Sequence, residues 1–241
     1  MNSEANKMYK YEIHLHTAET SRCGYLAAEE LVGMYKDLGY DGICITDHLH
    51  DFYISLMDCR ADWQLCMNRY MFGYYEAKKA GEAAGLDVIF GIELRFTDND
   101  SDFLVFGVDE EWLRANPFVC HMRHEEFFRQ YGDRVLILQA HPFRNGHPIL
   151  TDYIHGLEVV NGNPRQKNRN EESLALALSN PRLLTVCGSD MHQRGDQGQA
   201  ALLFPHRIRD SYEMKEAIES RSYRLWCPGS QEIIDQCRGQ I

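Results

Sequence analysis

Residues 9–16 read Tyr9-Lys10-Tyr11-Glu12-Ile13-His14-Leu15-His16, a run rich in strand formers that closes on two histidines. The run predicts a strand over Tyr9–Leu15. In a strand, residues i and i+2 point to the same side, so His14 and His16 can bind one ion together. The same punctuation recurs downstream. Asp47-His48 closes an apolar run, and so do Glu93, His141 and the pair Asp190 and His192. Metal-ligand residue types thus stand at the carboxyl ends of the expected strands. A parallel α/β protein gathers those ends on one face, where residues distant in sequence share a pocket. The pattern reads as a multinuclear metal site, and such a site points to hydrolysis.

The stretches between support that architecture. Ala27–Leu38 has helical spacing, with Leu31, Met34, Tyr35 and Leu38 on one face and Gly39 as the stop. Gly42–Thr46 reads as a short strand, Leu49–Trp63 as a loop or lid, and Gln64–Ala84 as one long helix ending at Gly85. Val88–Phe96 reads as a strand carrying Glu93. Phe103–Val108 pairs with it as a hairpin across the polar turn Thr97–Ser101. Strands at Val135–Ala140, Leu157–Val160, Leu183–Cys187 and Ala201–Phe204 alternate with helices closing at Tyr131 and over Glu171–Leu178 and Tyr212–Ser220. Strands alternating with helices imply parallel βαβ units, and about six to eight of them favour a barrel over an open sheet.

The chain has 241 residues, 44% of them hydrophobic and 25% charged, which suits one soluble domain over residues 1–241. Its net charge of −11 argues against an extended nucleic-acid surface. A nucleotide substrate stays compatible, because bound cations would reverse the local charge. No apolar run is long enough to span a membrane, and Met1–Lys10 lacks the apolar core of a signal peptide. Eight cysteines include Cys44 and Cys187 inside apolar runs, with no Cys-x-x-Cys pair, so the reading is of reduced thiols in the cytoplasm. No Gly-rich phosphate loop is present.

Each ligand type has a plainer alternative. Asp47 suits a helix cap or turn, and His48 an exposed turn. His50 falls in the following loop and reads as structural. Glu93 sits within Phe90-Gly91-Ile92-Glu93-Leu94, where burying a carboxylate is costly unless it is paired or metal-bound, and a carboxylate can bridge two cations. His141 lies between an apolar strand and Pro142. Carboxylate with imidazole suits zinc, iron or manganese better than calcium. His121 and His124 have helical spacing with no strand end to place them at the pocket, and they read as structural, as do His147, His155 and His206.

His14-x-His16, Thr46-Asp47-His48, Gly91-x-Glu93, Ala140-His141-Pro142 and Gly188-Ser189-Asp190-x-His192 occur in that order. Together they resemble the polymerase and histidinol phosphatase (PHP) superfamily of metal-dependent phosphoesterases, over about Tyr11 to Phe204. The resemblance implies a distorted seven-stranded β/α barrel of TIM-like form with up to three divalent metals in a cleft at the C-terminal strand ends. It implies that His14, His16, Glu93 and Asp190 hold the first metal and that Glu93 bridges to a second held with His141. His48 and His192 would hold the third. Two positions depart from the family pattern. Asp102 stands where the family often has histidine and can replace it as an oxygen donor. Arg22 and Cys23 lie where the family often has a third-site ligand. Glu19 is the preferred substitute, with Cys23 behind it.

The leading reading is hydrolysis of a phosphomonoester or a nucleotide or oligonucleotide phosphoester with two or three zinc, manganese or iron ions. The expected partner is a small phosphorylated substrate. Arg144 is expected either to contact phosphate or to be a solvated loop arginine, and Asn161, Arg165 and Lys167 to line the same mouth. Asp47 would orient a ligand or, less favoured, donate a proton to the leaving group. Amide hydrolysis on the same metals and a non-catalytic metal-binding scaffold are the competing readings.

Overall fold

A computed structural model of the chain describes residues 7–59 and 62–238. Residues 1–6 of the expected polar N-terminus and residues 60 and 61 of the expected lid lie outside the described residues. In chain order the elements are β1 (Tyr9–Leu15), α1 (Ala28–Asp37), β2 (Gly42–Ile45), β3 (His48–Leu49), α2 (Asp51–Leu56), α3 (Trp63–Tyr70), α4 (Phe72–Ala84), β4 (Asp87–Phe90), β5 (Ile92–Arg95) and β6 (Asp102–Phe106). There follow α5 (Glu110–Ala115), α6 (His124–Tyr131), β7 (Leu136–Gln139), β8 (Gly156–Asn161), α7 (Asn170–Ser179), β9 (Leu184–Gly188), β10 (Ala201–Phe204), α8 (Ser211–Glu219), β11 (Arg224–Trp226) and α9 (Gln231–Arg238).

The fold is mixed α/β, but its strands do not form the expected seven-stranded closed barrel. Among the described residues, a five-stranded sheet has the order β11-β10-β1-β2-β4 and a six-stranded sheet the order β3-β5-β6-β7-β8-β9. The pairs β1/β2, β2/β4, β3/β5, β7/β8 and β8/β9 are parallel. The hairpin β5/β6 and its neighbour β6/β7 are antiparallel, as are β1/β10 and β10/β11. The two sheets touch where Leu15 of β1 bridges Met191, just past β9, and where Glu93 N of β5 donates to Asp47 O, just past β2, at 3.1 Å.

The expected Val88–Phe96 strand is two strands that belong to different sheets, and Gly91 is the break. A Cβ at Gly91 would lie 2.7 Å from the Phe106 ring and 3.0 Å from Thr46. Only glycine lets the chain cross between sheets that close to a packed aromatic. The expected helix Gln64–Ala84 likewise breaks at Met71, and it ends as expected, with Gly85 left-handed at φ 67°. The expected loop over Leu49–Trp63 contains α2. Cys59 and Cys66, 5.2 Å apart at Cα, form a disulfide, which departs from the expected set of reduced thiols. Cys44 and Cys187 are buried and free, as expected. No helix among the described residues is long and apolar enough to cross a membrane.

The core falls into two hydrophobic clusters. Tyr11, Ile13, Phe103, Phe106 and Phe127 are fully buried in one cluster, and Leu15, Leu31, Tyr35 and Ile43 in another. Each such side chain contributes about 1.5–3 kcal/mol by leaving water. This packing holds the ends of β1, β2, β5, β7 and β9 together, which sets the positions of the polar residues there.

Candidate metal centre

Glu93 lies in β5 and is fully buried. Its Oε1 is 3.2 Å from His14 Nε2 and 3.2 Å from His141 Nε2. Its Oε2 is 3.3 Å from His16 Nε2 and 2.8 Å from His48 Nδ1. One carboxylate therefore faces four imidazoles, two on each oxygen. Across from it, Asp190 Oδ1 lies 3.4 Å from Nε2 of both His14 and His16. His192 Nδ1 donates to the Asp190 carbonyl at 2.8 Å. His141 and Asp190 adopt positive φ, 30° and 49°. Left-handed backbone at a non-glycine residue costs about 1–3 kcal/mol and concentrates where a site demands it.

Among the described residues, four groups bring ligand atoms within 4.8 Å of one another: His14, Glu93 and His141; His14, His16 and Asp190; His48, Glu93 and Asp102; and His16, Cys23, His48 and His192. His14 Nε2, both ring nitrogens of His16, His48 Nδ1, His141 Nδ1 and Glu93 Oε2 are buried without a well-formed hydrogen bond. Buried polar atoms are rarely left so. Convergent, unsatisfied imidazoles and carboxylates fit divalent ions.

Two buried carboxylates outside these groups brace the site. Glu158 Oε1 accepts from His14 Nδ1 at 3.0 Å, while its Oε2 accepts from His141 N at 3.0 Å and Asn161 Nδ2 at 2.8 Å. Because a carboxylate only accepts, Nδ1 carries a proton, and Nε2, on the side of Glu93 and Asp190, is the ring atom left to bind a cation. Glu12 Oε1 accepts the backbone N–H groups of Ile13 and His14 at 3.0 Å and of Ser189 at 2.9 Å. The first two belong to a register shift in β1 between Glu12 and Leu15, where ladder partners are missing. Gly188 permits the close approach: a Cβ there would lie 2.5 Å from His14 Cβ and 2.8 Å from Glu158 Oε1.

The sequence matches the PHP domain family model over residues 12–221. The chain belongs to the PHP domain family. Among solved structures, a two-domain protein from Bacteroides vulgatus, described as containing a predicted PHP-like metal-dependent phosphoesterase, aligns with a TM-score of 0.66 and 17% identity. The alignment covers 92% of this chain and 65% of that longer one, so the chain spans less than two thirds of it. PsfC from Pseudomonas syringae aligns with a TM-score of 0.65 and 20% identity, covering 98% of this chain and 97% of that one. An amidohydrolase from Chromobacterium violaceum aligns at 0.54 and 16%, covering 92% and 99%. A search of curated proteins finds no match.

Within this PHP chain the remaining expected site residues divide. Asp47 accepts Thr17 N at 2.8 Å and Thr17 Oγ1 at 2.7 Å. Its carboxylate holds the turn after His16 rather than facing the ligand groups as a proton donor. Asp102 stands beside His48 and Glu93, with Arg95 bound to both its oxygens at 2.8 and 2.7 Å. Glu19 is turned away: both its oxygens accept from Ala28 N, at 2.9 and 3.1 Å, satisfying a free N–H at the start of α1. Cys23 stands with the imidazoles in its place.

Arg144 is buried, at 8% exposure, and is not a solvated loop residue. Its Nη1 pairs with Asp190 Oδ2 at 2.6 Å, Nη2 donates to Asn161 Oδ1 at 2.8 Å, and Nε and Nη2 donate to Asn168 Oδ1 at 3.1 and 2.7 Å. That leaves no two-pronged edge for phosphate. Asn161 serves as a brace between Arg144 and Glu158. Arg165 binds Asp196 at 2.9 and 2.7 Å, and Asp196 in turn accepts His192 N at 3.1 Å, so Arg165 supports the His192 turn. Lys167 is exposed in a surface cleft with Phe143, Gly146 and Arg169, none of them in the ligand groups. His50 stays outside those groups, against Tyr53, and burial followed by the charge of His48 lowers it to about 4. His124 packs on Phe103, and His121 pairs with Asp51 at 3.1 Å.

The electrostatics follow from burial opposed by pairing. Burial pushes the His14 and His48 imidazoles down, but the carboxylates of Glu158, Asp190 and Glu93 around His14, and of Glu93 beside His48, raise both well above the ordinary value. Burial and the neighbouring His192 and His48 lower His16. Burial opposes ionisation of Glu93 and Asp190, yet the imidazoles beside them hold both far below the usual carboxylate range. Burial raises the Glu12 carboxyl to about 7 and that of Asp47 to about 6.

Proposed function

We propose that this PHP domain hydrolyses the phosphate ester of a small substrate, nucleotides included, with two or three divalent ions of zinc, manganese or iron held around Glu93. The observation that carries the reading is that Oε1 of Glu93 faces His14 and His141 while Oε2 faces His16 and His48. A carboxylate presented this way suits a bridge between two cations. When bound, such ions would polarise phosphoryl oxygens and bring the pKa of a coordinated water toward about 7.

The chain's own residues supply the geometry. His14, His16 and Asp190 would hold one ion with Glu93, and His141 would join Glu93 at a second. Glu158 fixes the His14 tautomer, and Arg144 fixes Asp190 by binding its outer oxygen. Asp47 holds Thr17 and so the direction of His16. The buried Arg144 guanidinium lends positive charge to the anion-binding face without a bidentate contact. The net charge of −11 favours a compact substrate over an extended nucleic acid.

The test is phosphate release from a panel of aryl phosphomonoesters, phosphodiesters and nucleotides, by protein whose ion content has been measured. The expected result is turnover that a chelator abolishes. Fully loaded protein that releases no phosphate would overturn the reading; cleavage of an amide panel instead would reassign the same metals, and inertness toward both would mark a scaffold.

A further inference from the structure

Three of the four ligand groups contain a carboxylate. The fourth, His16, Cys23, His48 and His192, contains none and includes a sulfur. We propose that Cys23 is a thiolate metal ligand, and that with His48 and His192 it makes a nitrogen–sulfur site selective for zinc over manganese or magnesium, beside nitrogen–oxygen sites around Glu93. The inference rests on reading the cluster as a metal centre, and it adds a ligand and a metal preference to that reading.

The geometry gathers the set tightly. The His16 ring lies 4.4 Å from that of His48 and 4.4 Å from that of His192, centroid to centroid. His16 Nε2 faces Glu93 and Asp190, at 3.3 and 3.4 Å, and is committed to the carboxylate side. His192 Nδ1 donates to a carbonyl at 2.8 Å, so that nitrogen is taken and Nε2 is the ring atom left to bind a cation. Cys23, His48 and His192 then supply three protein ligands, the count of a zinc site that keeps one position open, and His48, whose Nδ1 also lies 2.8 Å from Glu93 Oε2, is where this site adjoins the carboxylate groups.

Cys23 is also held where it must be. Two residues before it, Ser21 Oγ accepts from His48 N at 3.0 Å; two residues after it, Tyr25 N donates to His192 O at 2.7 Å. The turn is thus tied to the backbone of both histidines it would share an ion with. A Cβ at Gly24 would lie 2.7 Å from Thr17 O, so the turn packs closely beside the cysteine. Cys23 is half-buried against imidazoles, while Cys44, Cys120, Cys187 and Cys227 are buried free thiols, all four in the main apolar core. Thiolate ligands favour zinc, and carboxylate-rich sets suit manganese and magnesium.

The experiment loads metal-stripped protein with cobalt(II) alone, counts the bound ions, and records the near-ultraviolet spectrum. The wild type is expected to show a thiolate-to-cobalt charge-transfer band that Cys23→Ser lacks. Cys23→His, which substitutes a nitrogen ligand, should keep the ion count and still lack the band. Zinc affinity should fall about tenfold or more in Cys23→Ser, with manganese uptake unchanged. A readout on the unaltered chain is alkylation mapped by mass spectrometry: zinc should protect Cys23 from iodoacetamide and magnesium should not. Cobalt bound without a sulfur band, or a band that survives in Cys23→Ser, overturns this inference alone. Protein that binds no cobalt, zinc or manganese would overturn the metal-centre reading beneath it.

Discussion

His14 Nδ1 lies 3.0 Å from Glu158 Oε1, and both side chains are fully buried. The contact makes Glu158 the group that aims His14 at Glu93 and Asp190, since it fixes the proton on the far side of the ring. Glu158→Gln presents an amide that can turn its own N–H toward His14 and loses the charge. Metal affinity should fall about 10- to 100-fold, the usual cost of losing such a support. Competition against a chromophoric chelator measures it; an unchanged affinity would remove Glu158 from the account.

Arg144 Nη1 is 2.6 Å from Asp190 Oδ2, both buried. Arg144→Ala leaves a buried carboxylate without its counter-charge, which costs about 3–5 kcal/mol. A bound ion on the other oxygen of Asp190 would restore much of the balance. The melting temperature of Arg144→Ala should therefore fall sharply in metal-free protein and recover toward wild type on zinc addition. Equal deficits with and without metal would show that Asp190 does not hold an ion.

Glu12 has its carboxyl raised to about 7 by burial, against an ordinary value of 4.5. The folded protein binds this proton more tightly than the unfolded chain, so its contribution to stability is full below pH 4.5 and declines as pH rises to about 7. Glu12→Gln mimics the protonated form. Relative to wild type, the variant should gain about 3 kcal/mol between those limits, and urea midpoints of chelator-treated protein at pH 4.5 and pH 8 report the gain. A constant difference between the two proteins would contradict the buried, protonated carboxyl.

His14, His48 and His192 are raised above the ordinary imidazole value of 6.5 by the carboxylates and, for His192, first by Cys23, each against an opposing burial effect. A cation must displace those protons, so affinity should climb with pH and keep climbing above 6.5, with protons released on binding. Calorimetric titration in buffers of differing ionisation heat counts them. Affinity independent of pH would mean that these rings are not the ligands.

Much of the candidate metal centre was legible in the sequence because its side chains sit where apolar runs end. His14, His16, Glu93, His141 and Asp190 do meet, as their places at the run ends implied, while their grouping came from the family resemblance. Glu158 and Glu12 escaped notice although they carry the signal that exposed Glu93, a carboxylate inside an apolar strand: Leu157-Glu158-Val159 and Tyr11-Glu12-Ile13. Glu19 and Cys23 were ranked from their places after His14-x-His16, and only the turn from Thr17 to Gly24 shows which of them faces the imidazoles. Arg144 illustrates the same gap, because partners such as Asn168 and Asp190 are set by tertiary packing. The barrel expectation failed at Gly91, where a continuous apolar pattern hides a change of sheet. Periodicity reports burial, and both halves of Val88–Phe96 are buried.

The central claim is that Glu93 joins two cations. Elemental analysis of wild-type protein and Glu93→Gln, prepared without chelator and equilibrated with zinc, manganese or iron, tests it most directly. The account predicts two or three ions per wild-type chain, the loss of at least one in the variant, and a fall in kcat of about 10²-fold or more. Less than one ion per wild-type chain, or a variant that keeps the full complement, would contradict it.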